Sequence, residues 1–197
     1  MSVFVKICGL RDPEHVKAAI DAGADAVGFV FAESVRRVTP AEATSVSAHV
    51  PSHIKRVAVM LHPTNDEWRE VLSGFTPDVL QTDAEDFASL DVPESIEHWP
   101  VFREGKGQPE TGNTYVYEGK KSGQGETVDW SRAATIACNG NMILAGGLAA
   151  GNVAAAIATV RPYGVDVSSA VESAPGQKDA RMINEFVSAA KAAEKDL

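Results

Sequence analysis

Short apolar runs alternate with longer amphipathic stretches along most of the chain. Short apolar runs are typical of buried strands, whereas apolar residues spaced three and four apart indicate helices. The apolar runs predict eight strands, at residues 3–8, 25–31, 56–61, 78–81, 98–103, 114–118, 142–147 and 164–169. The amphipathic stretches predict helices at 12–22, 40–49, 64–73, 84–90, 131–137, 150–160 and 178–194. Strands that alternate with helices indicate parallel pairing through right-handed crossovers.

The fold class follows from the number of strands and from what comes after the first one. Eight alternating units favour a closed (β/α)8 barrel, and a chain of 197 residues is near the lower size limit of that fold. A doubly wound open sheet is the competing fold, but it usually carries a glycine-rich fingerprint after the first strand. Here "KICGLRDPE" holds a single glycine. We therefore expect one α/β barrel domain over residues 1–197, with the helix after strand five shortened or lost.

Capping residues support several of the predicted helix starts. Asp12 and Thr39 each precede a proline, and Thr64 is followed closely by two acidic residues. A side-chain oxygen at the N-cap accepts hydrogen bonds from the first free amides, and proline suits the first helical turn. Gly23 stands after the first helix, where glycine often ends one. These capping residues thus agree with the helix boundaries that the periodicity predicts.

Composition and charge exclude some classes of function. The chain is 44% hydrophobic and 23% charged, which is ordinary for a globular protein. None of its apolar runs approaches the roughly 20 residues that a membrane span needs. The formal net charge of −9 disfavours a nucleic-acid binder, although local amides and arginines can still bind an anion. We expect no membrane and no nucleic-acid partner.

The cysteines and histidines bear on two further properties, the cellular compartment and the presence of a metal site. Two cysteines, Cys8 and Cys138, without an N-terminal targeting pattern favour a reducing compartment, so a cytoplasmic location is expected. The five histidines are scattered, and only His49 and His53 stand four apart. Pro51 lies between them and breaks any shared helical face. No metal site is predicted.

Polar residues at the strand ends are the candidates for function, because barrel active sites lie at the C-terminal ends of the strands. Those residues are Cys8 after strand one, Arg36 and Arg37 after strand two, Gln81 after strand four, Arg103 after strand five and Asp129 after strand six. The strand-end position of Cys8 favours partial exposure of its thiol.

Two segments predict a phosphate site after strands seven and eight. "LAGGLAAGNV" contributes Gly146 and Gly147, and "DVSSAVE" contributes Ser168 and Ser169. Small residues let backbone amides approach an anion closely, and barrels commonly hold phosphate at this position. The alternative is that these glycines serve turns and the serines cap a helix. The pair on adjacent strands favours a substrate monophosphate.

Individual side chains leave alternatives open. Cys8 is either a buried packing residue or a reactive thiol. Asp129 is either a helix N-cap or a general acid, and Arg36 binds either a substrate carboxylate or only water. A thiol and a carboxyl group at a barrel mouth with a phosphate site would suit proton transfer on a sugar phosphate.

Four segments together resemble one enzyme family. They are "VKICGLRDPEHVKAAIDAGADAVGFVFAESVRRV", "SGQGETVDWS", "ILAGGLAAGNV" and "GVDVSSAVESAPGQKD". In this order they are similar to the phosphoribosylanthranilate isomerases of tryptophan biosynthesis. The resemblance implies a (β/α)8 barrel that performs an Amadori rearrangement on a small phosphosugar without cofactor or metal.

The resemblance also implies roles for individual residues. It puts the general base at Cys8, the general acid at Asp129 and the substrate-carboxylate arginine at Arg36. Gln81 and Asp179 match positions near the substrate. The phosphate would rest on the segment that comprises Gly146, Gly147, Ser168, Ser169 and Ala170.

The chain departs from the family pattern at several positions. After Gln81 it reads Thr82-Asp83-Ala84 in place of the usual L-H-G, Ala170 replaces a glycine, and Val35 replaces a proline. Two rival functions also stay open. One is a histidine-pathway or dual-substrate aminoaldose isomerase, which uses aspartate where this chain has Cys8. The other is a catalytically silent phosphosugar-binding barrel. A monomer is expected, with a homodimer left open.

Overall fold

Eight parallel strands close into a barrel in the order in which they occur along the chain. The computed structural model describes residues 3–107, 109, 112–119 and 128–193. The barrel strands are β1 Phe4–Cys8, β2 Ala26–Val30, β3 Lys55–Val59, β4 Val79–Asp83, β5 Glu97–Arg103, β6 Thr114–Glu118, β7 Asn141–Leu144 and β8 Gly164–Val167. The helices are α1 Pro13–Ala22, α2 Pro40–Val46, α3 Asn65–Phe75, α4 Trp130–Ala137, α5 Val153–Val160 and α6 Ala180–Ala193. The predicted (β/α)8 barrel is confirmed.

Shorter elements complete the chain. The segments Ala84–Ala88 and Ser169–Val171 are 3-10 helices, and β9 Glu172–Ala174 pairs antiparallel with β10 Gln177–Lys178. This hairpin follows β8 and precedes α6, and the sequence analysis did not predict it. No described helix is long and apolar enough to cross a membrane.

The departures from the predicted elements have local reasons. The segment predicted as helix 84–90 forms only a 3-10 turn, and none of the described residues between β5 and β6 is helical. Strand β7 ends at Leu144, before the predicted end, because Gly146 and Gly147 adopt left-handed backbone conformations with φ of 93° and 64°. Left-handed residues cannot continue a strand. That residues 1–197 form a single domain stays a prediction.

The pleat of the strands divides their side chains between two cores. Residues on the outer face pack against the helices, and residues on the inner face fill the barrel. The inner apolar cluster comprises Ala26, Val57, Val79, Trp99, Val101, Val116, Ile143 and Ala145. Lys6 and Asp166 also lie on the inner face, as partners in the register of β1 with β8. A charged pair is thus part of the barrel interior.

The weak helical cover around β5 leaves a large depression on that side of the barrel. A cavity of about 920 Å³ lies against β4, β5 and β6, and its lining includes His98, Phe102 and Tyr115. His98 and Phe102 stand four residues apart on β5, so both side chains lie on its outer face. The cavity runs along the flank of the barrel, away from the ends of β1 and β8.

The predicted N-caps are present as hydrogen-bonded structures. Thr64 accepts a bond from the amide of Glu67, and the Glu67 carboxylate accepts one from the amide of Thr64, at 3.2 and 2.8 Å. Thr39 forms the same capping box with Glu42. Gly23 ends α1 in the left-handed conformation at φ 94°.

We expect Thr64→Ala to lower the free energy of unfolding by about 1 kcal/mol, because one orphan amide of α3 loses its acceptor. Urea denaturation measures the change. The matched control is Thr159→Ala, since the Thr159 hydroxyl only donates to the Ala155 carbonyl inside α5 and alanine is a better helix former. Equal losses in the two variants would contradict the capping role.

Candidate active site

Cys8 is the last residue of β1 and lies on the inner face of the barrel, in line with Lys6. It is only 7% exposed, so the expected partial exposure of the thiol is wrong for this structure. Burial raises the pKa of the Cys8 thiol, and the nearby ammonium of Lys6 acts in the opposite direction.

Two glycines make room for the groups around this thiol. A Cβ atom on Gly28 would lie 3.1 Å from Cys8 Sγ and 3.2 Å from Lys6 Cε. Gly9 has φ of +77°, and a Cβ atom there would lie 2.6 Å from Arg36 Cδ. The absence of side chains at these positions therefore lets an ammonium, a thiol and a guanidinium gather at the end of β1.

Lys6 and Asp166 form an ion pair inside the barrel. Lys6 Nζ lies 3.0 Å from Asp166 Oδ1, and the two side chains are almost fully buried. Burial acts to lower the pKa of Lys6, but the charges of Asp166 and Cys8 outweigh it and the pKa is raised. Pairing with Asp166 therefore favours the charged form of Lys6 beneath the thiol.

Arg36 lies beside the thiol and is held by Glu172 of the hairpin. Its Nε and Nη2 atoms donate to the two carboxylate oxygens of Glu172, at 2.6 and 2.8 Å. The Glu172 side chain is only 3% exposed, and it also accepts from Lys178 Nζ at 2.7 Å. Bidentate pairing of this kind fixes the plane of the guanidinium.

Ser168 links β1 to the hairpin. Its hydroxyl donates to the Cys8 carbonyl at 3.1 Å, while Lys178 Nζ donates to the Ser168 carbonyl at 2.8 Å and reaches its hydroxyl at 3.3 Å. Ser168 therefore uses its hydroxyl inside the protein. Its carbonyl is also taken, by Lys178, so only the backbone amide of Ser168 could donate to a phosphate.

The glycines predicted to bind phosphate have the backbone expected of such a loop. Gly146 and Gly147 both have positive φ, and the Gly147 carbonyl accepts a hydrogen bond from Asn152 Nδ2 at 2.9 Å. On the adjacent strand, exposed Ser169 and half-buried Ala170 open a 3-10 helix. Ala170 is not among the described residues with positive φ, so alanine fits where the family usually has glycine.

Asp129 and Asp179 are both placed as helix N-caps. Oδ1 of Asp129 accepts from the amides of Ser131 and Arg132, at 2.9 and 3.2 Å. Oδ1 of Asp179 accepts from the amide of Met182 at 3.0 Å. The preceding segment 120–127, which carries the whole "SGQGET" stretch, lies outside the described residues. The N-cap alternative for Asp129 is therefore observed, and its chemical role stays a prediction.

The other rim residues form a second polar group at the ends of β4, β5 and β6. Arg103 donates to both carboxylate oxygens of Asp83, at 2.6 and 3.1 Å, and also to Glu118. Gln81 is buried, and its Oε1 has no hydrogen-bond partner among the described residues. The replacement of the family histidine by Asp83 is thus accompanied by an arginine partner on the next strand.

One group of side chains has ligand-type atoms close enough for a cation. His62, Asp83 and Glu85 offer one atom each within 4.8 Å of one another. Asp83 is already engaged by Arg103, and His62 Nδ1 lies 2.9 Å from Asp86 Oδ1. These existing contacts would compete with any metal ion.

The sequence analysis did not assign a role to four charged residues of this site, namely Lys6, Asp166, Glu172 and Lys178. For Lys6 and Asp166 the sequence did carry a signal of a buried ion pair. Each is a charged residue within an otherwise apolar strand, "FVKIC" and "GVDV", and a buried charge needs a partner. Glu172 and Lys178 carried no such signal because their hairpin was not predicted.

Comparison with known proteins assigns the chain to a family. The family model described as N-(5'-phosphoribosyl)anthranilate (PRA) isomerase matches residues 5–189. This chain belongs to the PRA isomerase family. A curated PRA isomerase of Listeria welshimeri is 38% identical over 207 residues, which cover 98% of this chain and all of the relative.

Solved structures of PRA isomerases have the same fold. One from Thermotoga maritima, described as mutually generated monomers of a dimeric enzyme, has a TM-score of 0.79 and 30% identity. Another holds reduced 1-(o-carboxyphenylamino)-1-deoxyribulose 5-phosphate and has a TM-score of 0.77 and 29% identity. Each alignment covers 96% of this chain and 99% of the other.

The ion pairs of Glu172 predict a pH-dependent stability. Burial favours the neutral acid, but hydrogen bonds from Arg36 and Lys178 outweigh it and lower the pKa of Glu172 from 4.5 to about 2. A carboxyl group whose pKa is depressed on folding stabilises the protein above its unfolded pKa, and this stabilisation is lost as the pH falls toward the folded pKa.

We therefore expect Glu172→Gln to lower the free energy of unfolding by about 3 kcal/mol at neutral pH. The difference from wild type should shrink as the pH falls from about 4.5 toward about 2. Urea denaturation at pH values in and above this window measures it. Glu70→Gln, on the exposed face of α3, is the matched control and should behave as wild type. A difference independent of pH would contradict the charged role.

Proposed function

We propose that this chain converts N-(5-phosphoribosyl)anthranilate to 1-(2-carboxyphenylamino)-1-deoxyribulose 5-phosphate in tryptophan biosynthesis. The observation that carries the proposal is the Cys8 thiol, enclosed at the end of β1 among Lys6, Arg36 and Lys178. The family match and the bound reduced product of a relative support the choice of substrate. The reaction moves hydrogen within one molecule, so an acid and a base suffice.

Asp129 is the proposed general acid. Its two capping hydrogen bonds both go to Oδ1. Among the described residues Oδ2 accepts no hydrogen bond, so this oxygen is available to carry a proton. Protonation of the furanose ring oxygen breaks its bond to C1 and gives the open-chain protonated imine.

Cys8 is the proposed general base. As thiolate it removes the proton from C2 of the protonated imine, which gives an enolamine that becomes the ketone product. The positive imine acidifies the C2 hydrogen, so a base of modest strength is enough. The thiolate must be formed inside a buried site, which makes the positive charges around it part of the proposal.

The remaining site residues are proposed to bind substrate. Glu172 occupies the Nε edge of Arg36, which leaves the edge formed by Nη1 and Nη2 for the anthranilate carboxylate. Gln81 and Asp179 stay the proposed contacts to the rest of the substrate. The proposed phosphate ligands are the backbone amides of Gly146, Gly147, Ser169 and Ala170, with Ser168 supporting that segment.

The same turnover assay distinguishes the proposed function from its rivals. Turnover of the bulkier histidine-pathway intermediate alone would establish a histidine-pathway isomerase, and turnover of both substrates would establish a dual enzyme. Absence of turnover, with binding of the reduced product, would establish a silent barrel. We further propose a monomer in the cytoplasm, a compartment supported by two cysteines that are both free.

The first test follows the loss of aminobenzoate fluorescence from freshly made phosphoribosylanthranilate. We expect wild type to turn it over without added metal or cofactor, and Cys8→Ser to lower kcat by about 10²- to 10⁴-fold, because a hydroxyl is a poor base near neutral pH. Cys138→Ser is the matched control, since Cys138 is exposed. Near-normal turnover by Cys8→Ser would rule out the thiol as base.

Arg36→Met tests the proposed carboxylate contact. We expect KM to rise by about tenfold or more, because a charge-assisted bidentate contact is lost. Arg37→Met is the matched control on the neighbouring exposed arginine, and its KM should equal that of wild type. Circular dichroism checks that Arg36→Met folds despite the unpaired Glu172. An unchanged KM would place the carboxylate elsewhere.

A further inference from the structure

The base proposed above is a thiol whose surroundings favour its neutral form. Burial is the largest influence on Cys8 and raises its pKa. A buried thiolate needs a positive charge close to the sulfur that is not already used by other acceptors. The question is which of the surrounding cations provides it.

The charged groups that face Cys8 come from four elements. Lys6 approaches from β1, Asp166 from β8, Lys178 from β10, and Arg36 from the loop after β2. The neighbour on β2 is Gly28, which brings no charge. Arg36 and Lys178 are therefore the two cations near the sulfur other than Lys6.

Those two cations are committed to other partners. Lys178 Nζ has three N–H donors and three oxygen acceptors, namely the carbonyl and the hydroxyl of Ser168 and the carboxylate of Glu172. The Nε edge of Arg36 donates to the same carboxylate. Its other edge is the proposed binding site for the substrate.

Among the described residues, Lys6 has more N–H donors than oxygen acceptors. Among the described residues its Nζ has one oxygen acceptor, Asp166 Oδ1 at 3.0 Å. The absent side chain of Gly28 leaves the space between Lys6 Cε and Cys8 Sγ open. Across this space the positive charge of Lys6 acts to lower the pKa of the Cys8 thiol, against the effect of burial.

We propose that Lys6 is the positioning residue that stabilises the Cys8 thiolate, with Asp166 holding its ammonium beneath the sulfur. The assignment rests on Cys8 being the base of the proposed function. Each of the three cations then has its own role. Lys6 stabilises the thiolate, Arg36 binds the substrate carboxylate, and Lys178 binds the carboxylate that orients Arg36.

Two substitutions with opposite expected effects test the assignment. In a Cys138→Ser background, the ultraviolet absorbance of the thiolate is titrated against pH, with the Cys8→Ser protein as blank. We expect Lys6→Met to raise the titration midpoint of Cys8 by about one pH unit or more, because the thiolate loses its counter-charge. Asp166→Asn should lower the midpoint, because the ammonium then faces the thiol without its carboxylate. Lys6→Arg should keep part of the wild-type behaviour.

Lys55→Met is the matched control. Lys55 is also a lysine on the inner face of a barrel strand and is also ion-paired, but it lies at the opposite end of the barrel. Its removal should leave the titration unchanged. Circular dichroism establishes that each variant is folded, and Asp166→Asn decides the question if Lys6→Met does not fold. Midpoints that stay at the wild-type value, or that move in the same direction in both variants, would overturn the proposal.

Turnover provides a second and separate readout. In Lys6→Met we expect kcat to fall by about tenfold or more, with the pH profile moved to higher pH and KM little changed. Absence of turnover in wild type would overturn the proposed function, whereas the titration would still decide whether Lys6 stabilises the thiolate.

Discussion

A buried ion pair joins the first and the last strand of the barrel. Lys6 and Asp166 are partners in the register of β1 with β8, and their charged atoms lie 3.0 Å apart in the interior. The carboxylate of Asp166 offsets part of the large cost of taking the Lys6 ammonium out of water. Barrel closure is therefore what allows a charge at this depth, and the groups above it depend on that charge.

The site is built upward from this pair as a series of opposite charges. Cys8 lies next along β1, and above it the hairpin brings Glu172 between Arg36 and Lys178. Gly9 and Gly28 supply the space that these groups need. Each cation consequently has a carboxylate partner, so the thiol lies among charges that are fixed in position. Fixed charges of this kind act on a reaction without reorganising during it.

Several parts of the site follow from sequence patterns that are local. The strand ending at Cys8, the left-handed glycines after β7 and the capping position of Asp129 were all readable from neighbouring residues. In the case of Asp129 the sequence left two roles open, and the structure adds that a single oxygen makes both capping bonds. The capping function and an acid function are therefore compatible on one carboxyl group.

Other parts depend on contacts between distant segments. Arg36 and Glu172 are separated by 136 residues, and Lys6 and Asp166 by 160. Their pairing requires the barrel to close and the hairpin after β8 to fold back. The same closure buries Cys8, which the strand-end position alone had suggested to be partly exposed. Pattern rules describe neighbours along the chain, so they miss such pairs.

The sequence by itself determined the alternating elements, the closed parallel barrel and the kinds of side chain that stand at the strand ends. Periodicity and capping act over a few residues, and this is why they can be read without a structure. Only the tertiary structure decided which charges face the thiol, how deeply it is buried and which edge of Arg36 is left for a ligand. Those properties depend on distances between strands, and distances exist only once the barrel has closed.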